Sequence, residues 1–311
     1  MRRSISQLVS NTTSKWSSSW SFAFVLCVTL LIGGFGGSAQ TRRTRNESHS
    51  QPALSPAERE LINQAMDVVC TERKTDPKGS LPIDEMQARP SLPVRSPEAH
   101  EGAERAQRLL PVAKTLVIQS LRNLARDYKL NERQRTLIQK AILRVAAVTT
   151  VKPDMDARDN ASVFLSHPHI INFGTIFLAG LRSDEGMISV LAHELTHIAD
   201  GDNELLTVLF RTIGDRASDL TGQEIHEQRA EELSCDLVGA LVVRSFVAST
   251  PSYEPLPRRI ARSLEHNCVD EDQGDDDHLS PRNTILSLLA LDQSLARELV
   301  SGRYENLPSR R

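Results

Sequence analysis

Apolar positions recur at helical spacing over much of the chain. Behind Ser55-Pro56-Ala57-Glu58, the residues Leu61, Ile62, Ala65, Met66 and Val69 fall on one helix face. Ser55 suits the N-cap, Pro56 the first turn and Glu58 the closing position of a capping box. A second helical stretch is predicted from about Glu101 to Tyr128, interrupted at Pro111. A third begins at Asn131, with Gln134 completing a capping box, and continues through Leu137, Ile138, Ala141, Ile142 and Val145. The period then changes. Val148 to Val151, Ala161 to Leu165 and Ile170 to Leu178 are short, rich in Val, Ile and Phe, and broken by Asp, Asn, Pro and Gly, which predicts strands of a small sheet. Gly180 and Ser183-Asp184 lead into an apolar helix, with Ser183 or Asp184 as its cap. Further helices are expected at roughly 203–213, 224–248, 256–266 and 283–300, with an acidic loop from Asp270 to Asp277. The fold class this predicts is α+β, mostly α, with a small sheet beside one buried helix.

Residues 71–99 hold five prolines among charges, and read either as a solvated connector or as a flap over a cleft. Composition adds little to this outline. Charged residues make up 25% and hydrophobic residues 39%, ordinary for a globular protein, while aromatics are only 4%, so the core must be built from Leu, Ile, Val and Ala. A net charge of -3 excludes a basic nucleic-acid footprint.

The N-terminus does change the picture. Arg2, Arg3 and Lys15 are followed by an uncharged run from Trp16 to Gln40, whose Ser21–Gly37 portion is apolar and glycine-rich. Gly37-Ser38-Ala39 supplies the small residues a signal peptidase reads, which places cleavage after Ala39; the rival is an uncleaved anchor. Leu26 before Cys27 argues against a lipoprotein anchor. The expected organisation is therefore residues 1–39 as signal peptide or anchor, 40–99 as an N-terminal helix and Pro-rich segment, and 100–311 as the main domain. An exported chain, periplasmic or secreted and membrane-anchored if uncleaved, meets an oxidising compartment. Cys235 lies in an apolar helical run and reads as a small core residue. Cys70 and Cys268 remain as a pair that sequence alone neither makes nor excludes.

The candidate chemistry begins in Val190-Leu191-Ala192-His193-Glu194-Leu195-Thr196-His197-Ile198. Four residues apart on a helix, His193 and His197 stack on one face and can share one zinc ion, and Glu194 beside them can take a proton from water. The competing reading is a helix with two surface histidines. Downstream, Glu232 and Asp236 are again four apart on an apolar helix, where two inward carboxylates are costly unless a positive group meets them. Glu232 would complete a His-His-Glu zinc site with one position open, and Asp236 would orient a ligand imidazole. The competing reading there is a solvent-facing acidic edge, on which Glu231 is expected to lie.

These residues resemble the HtpX and CAAX-prenyl-protease type of zinc metallopeptidase, the gluzincins. That family pairs H-E-x-x-H with a later E-x-x-A-D helix, here Glu232-Leu233-Ser234-Cys235-Asp236. Asn160-Ala161-Ser162-Val163 resembles its N-A-F-A segment, Ile176 to Leu181 the strand running into its motif helix, and Asp277-His278-Leu279-Ser280-Pro281 its H-P-x-P segment, with Leu279 in place of proline. The likeness spans about residues 145–290. It implies a zincin-like domain holding one zinc ion (Zn2+) per chain through His193, His197 and Glu232, with Glu194 as general base and Asp236 behind a ligand. His278 would help stabilise the oxyanion, or else is a solvated loop residue. The implied activity is endopeptidase hydrolysis of protein substrates, in envelope protein quality control. The expected strand near Asn172 to Phe177 could itself pair with an extended substrate by strand addition. The alternative is a catalytically inactive zinc-binding scaffold or chaperone-like protein.

Overall fold

The capping boxes form as the sequence predicts. In the computed structural model, which describes residues 53–305 apart from 159, 164–165, 270–273 and 276, helix α1 is Pro56–Glu72. The Glu58 N–H donates to Ser55 Oγ at 3.3 Å and the Ser55 N–H to Glu58 Oε2 at 2.7 Å. Helix α4, Glu132–Ala147, repeats the device with Asn131 and Gln134 at 2.8 and 3.0 Å. The signal or anchor segment and most of the acidic loop lie outside the described residues. The described residues belong to the unit Ser48–Arg311, and none of their helices is long and apolar enough to cross a membrane.

Between α1 and α4 the chain departs from expectation twice. The Pro-rich segment is no solvated connector: Ser80, Leu81 and Met86 are buried, and helix α2, Ile83–Gln87, packs on later elements. Helix α3 then runs unbroken over Pro97–Asp127 with Pro111 inside it. Pro111 is exposed, so the carbonyl that loses its partner can turn to water. On the other face Leu109, Leu110, Ala113 and Val117 are buried and hold both halves in line.

The sheet has three strands: β1, Thr150–Asp154, β2, Ala161–Val163, and β3, Ile170–Gly174, in the order β1-β3-β2. β1 runs parallel to β3 and β2 antiparallel to it. β1 starts and ends later than predicted and contains Pro153, which an edge strand tolerates. The third strand stops at Gly174, and Thr175–Gly180 is helix α5, not strand. The Arg158 carbonyl causes the turn by accepting the N–H groups of Ile176 and Phe177 at 2.9 and 3.2 Å. Only glycine fits at 174, because a Cβ there would lie 2.0 Å from that carbonyl oxygen. β3 is the central strand with both edges paired, so it cannot receive an added strand; the expected pairing of a substrate with Asn172 to Phe177 is excluded.

The rest is helical: α6, Asp184–Asp200, α7, Thr207–Thr221, α8, Glu227–Ser249, and α9, Leu256–Ala261. α10, Pro281–Leu291, and α11, Gln293–Glu305, follow. The stretch predicted at 203–213 starts and ends later, after a short 3-10 turn. The one at 256–266 ends early and resumes as a 3-10 turn at Glu265–Asn267. The one at 283–300 breaks at Asp292, whose Oδ1 accepts the N–H groups of Ser294 and Leu295. Helix α6 is the core element, packed on α3, α4 and α8. The Cys70–Cys268 disulfide joins the end of α1 to the segment after α9, and Cys235 is a free, buried core residue.

Candidate metal centre

Helix α6 starts on Ser183, whose Oγ accepts the Gly186 N–H at 3.0 Å. It is buried on nearly every side, which fixes its rotation and presents His193 and His197 to α8. The two helices can touch because of Gly239: a Cβ there would meet the Ser189 carbonyl oxygen at 2.9 Å. Running antiparallel to α6, α8 sets Asp236 against His193 and the Glu231–Glu232 pair against His197.

Three donor atoms converge. His193 Nε2 and His197 Nε2 are 3.1 Å apart, and Glu232 Oε2 lies 3.3 Å from the first and 3.5 Å from the second. A tetrahedral ion with nitrogen and oxygen ligands at about 2.0–2.1 Å has ligand separations of about 3.3 Å. The triangle therefore has the dimensions of one face of such a tetrahedron. His193, His197 and Glu232 can hold a metal ion.

Behind the triangle, each imidazole has its own carboxylate. His193 Nδ1 is 2.8 Å from Asp236 Oδ1, and His197 Nδ1 is 2.8 Å from Glu231 Oε1. Nδ1–H donating to a carboxylate leaves the Nε2 lone pair aimed at the shared point. Asp236 stands where the sequence placed it. Glu231 does not: it was expected on a solvent edge and instead grips the second histidine. The sequence signal was available, since Glu231 and Asp236 are five apart and His193 and His197 four apart on antiparallel helices.

Charge at this point is strongly coupled. Burial raises the Glu232 carboxyl, but hydrogen bonds from His193 and His197 outweigh it and hold the group well below the usual carboxylate range. Burial lowers His193, and Asp236 and Glu232 outweigh that and raise it. His197 follows the same course, raised against burial by Cys235, Glu231 and Glu232. The place where the donors meet thus favours positive charge, delivered by protons or by a cation.

The centre opens onto a cleft of about 700 Å³. Glu194 lines it, and burial pushes its carboxyl up, against the lowering effect of His193 and His197. Ile83, Asp84 and Gln87 of α2 also line it, so the Pro-rich segment borders the cleft. His278 stands at the rim, 58% exposed. Its Nδ1 is 3.0 Å from Asp275 Oδ1 and its Nε2 is 3.8 Å from Glu232 Oε2. His266, which the sequence reading did not single out, also lines the cleft. Comparison with known proteins supplies no relative: no protein-family model, no curated protein and no solved structure matches this chain.

Proposed function

We propose that this chain is a zinc-dependent endopeptidase with a zincin-like domain of the gluzincin kind, acting on extended protein segments in the cell envelope or outside the cell. The observation that carries the reading is the donor triangle of His193, His197 and Glu232, with Glu194 in the same cleft. Two imidazoles and one carboxylate with a further position facing a cleft are the donor set of catalytic rather than structural zinc. The motif resemblance to HtpX-type peptidases and the apolar N-terminal run support the activity and the export. Bound there, zinc would supply a Lewis acid that polarises the scissile carbonyl and acidifies water.

The chain's own residues supply the rest. Asp236 and Glu231 hold the imidazoles in one tautomer and orientation. Glu194, its proton affinity raised by burial, takes the proton of the attacking water and passes it to the leaving amine. His278, held by Asp275 with its Nε2 3.8 Å from Glu232 Oε2, would donate to the oxygen of a tetrahedral intermediate. Among the described residues, the outer edge of β2, which packs beside α6, is a strand edge with which an extended substrate would pair.

The test is metal content and cleavage measured together. The purified protein should carry one zinc per chain and digest unfolded casein. His193→Ala should lose the metal. Glu194→Gln should keep it and lose turnover by about 10²–10⁴-fold. Zinc retained with no cleavage of unfolded proteins would leave a zinc-binding scaffold. No zinc in either protein would remove the metal reading altogether.

A further inference from the structure

Helix α8 carries Arg229 one turn before the donor Glu232, on the same face. Arg229 Nη2 donates to the Asp275 carbonyl at 2.5 Å. Asp275 in turn holds His278 through both its main chain and its side chain. Its N–H donates to the His278 carbonyl at 3.2 Å. Its Oδ1 accepts the His278 N–H at 2.6 Å and lies 3.0 Å from Nδ1. The turn is tight, since a Cβ at Gly274 would lie 2.7 Å from the Ser280 nitrogen. Asp275 and His278 therefore move together. Packing does little to orient either side chain, for they are 67% and 58% exposed. The hydrogen bonds that run from α8 through Asp275 aim the ring instead, and they start on the helix that supplies Glu232. The result is a ring whose Nε2 stands 3.8 Å from Glu232 Oε2. Nδ1–H donating to the Asp275 carboxylate leaves Nε2 for a substrate. A ring that donates from both nitrogens is an imidazolium, with Asp275 as its counter-charge.

We propose that Arg229 is a positioning residue for His278: by holding the Asp275 carbonyl, it fixes the carboxylate that aims His278 Nε2 at the metal centre. Arg229 and Glu232 are three residues apart on one rigid helix, so the bond sets the ring in register with the metal donor. A misplaced donor is a poor donor, because stabilisation of a developing charge depends on geometry prepared in advance. The inference rests on the peptidase reading, in which His278 donates to the tetrahedral intermediate. A bond made to that intermediate strengthens only as the negative charge develops. Its loss therefore lowers kcat and kcat/KM together and leaves KM alone.

The experiment measures kcat and KM for fluorescein-labelled casein with the zinc-loaded full chain, Arg229→Met, His278→Ala and the double variant. Removing the donor at His278 should lower kcat about a hundredfold. Arg229→Met keeps the bulk of the stem and loses the N–H groups; it should lower kcat about tenfold, with KM and zinc content unchanged. Arg229→Lys, which can still donate to the carbonyl, should recover most of that loss. The double variant should be no slower than His278→Ala, because Arg229 has then nothing left to position. A merely structural arginine would not give that result: its loss would lower kcat equally with and without His278. If the methionine variant does not fold, Arg229→Gln, polar but short of the Nη2 position, carries the same expectation. Wild-type kcat in Arg229→Met, or an equal fall in both backgrounds, overturns the role of Arg229. Wild-type kcat in His278→Ala overturns this inference as well, while the peptidase reading stands. Failure of the unaltered, zinc-loaded protein to cleave casein overturns that reading and this inference with it.

Discussion

His197 Nδ1 and Glu231 Oε1 stand 2.8 Å apart, the same separation as His193 Nδ1 and Asp236 Oδ1. One helix thus supplies both orienting carboxylates and the third donor, Glu232, from a stretch of six residues. Removing the Glu231 carboxylate frees the His197 ring to rotate and to change tautomer without touching a donor atom. Glu231→Ala is therefore expected to lower zinc affinity about 10- to 100-fold, measured by competition with a chromogenic chelator. Glu231→Gln keeps an accepting oxygen and should retain most of the affinity. Equal affinity in the alanine variant would reduce Glu231 to a surface charge.

The Pro-rich segment is fastened by Asp76, whose carboxylate meets Arg262 Nε at 2.7 Å and Arg258 Nη2 at 2.6 Å. Burial raises the Asp76 carboxyl, but the hydrogen bonds from Arg262, the Lys78 N–H and Arg258 outweigh it and hold the group at about 2, against an ordinary 3.8. A carboxyl depressed by folding contributes stability that is full above the unfolded value and disappears as pH falls through the folded one. Asp76 should thus contribute about 2 kcal/mol at neutral pH, lost progressively between about pH 4 and pH 2. Asp76→Asn should remove that part of the acid sensitivity. It should also cost about 3 kcal/mol at pH 7, because Arg258 and Arg262 keep their buried charges with fewer partners. Urea unfolding of both proteins across this pH range decides it.

The Cys70–Cys268 disulfide closes a loop spanning 198 positions. Constraining so long a loop in the unfolded chain is worth about 5 kcal/mol. The double variant Cys70→Ser/Cys268→Ser should melt about 10 °C lower. Asn267 and Val269, on either side of Cys268, line the cleft, so casein cleavage should become more heat-sensitive as well. An unchanged melting curve would mean that packing of α1 on α10 and α11 already holds the segment.

What the sequence showed and what it hid follow from range. The capping boxes at Ser55 and Asn131, the Ser183 cap and the H-E-x-x-H spacing are local, and each was legible. Thr175 to Gly180 was not, because a run buried on all sides shows neither the period of a helix nor that of a strand; the Arg158 carbonyl that turns it is 17 residues upstream. Pro111 misled for a related reason: its effect depends on which face meets water, which only the packed helix reveals. Glu231 was hidden by its neighbour, since one acidic residue in an E-E pair was assigned inward and the other outward, whereas both reach histidines. The strand order β1-β3-β2 joins residues far apart in the chain, and no local pattern specifies it.

That strand order moves the proposed substrate contact from β3 to β2. The Gly174 N–H donates to the Asn160 carbonyl at 2.7 Å, which makes residues 160 and 174 a hydrogen-bonded antiparallel pair. Two residues on, Ser162 faces Asn172 in the same kind of pair. The N–H and C=O groups of Ala161 and Val163 therefore point to the outer edge. The Ala161 N–H is already taken by Asn160 Oδ1 at 2.8 Å, which leaves that of Val163 for an extended peptide. Proline at 163 removes this donor while leaving the Ser162 pairing with β3 intact, and its demand for an extended preceding residue suits Ser162. Val163→Pro should raise the KM for casein about tenfold with zinc content unchanged, whereas Ser162→Pro should destabilise the sheet itself. A Val163→Pro protein with wild-type KM would show that substrate does not pair with β2, and the walls of the cleft would then carry the binding.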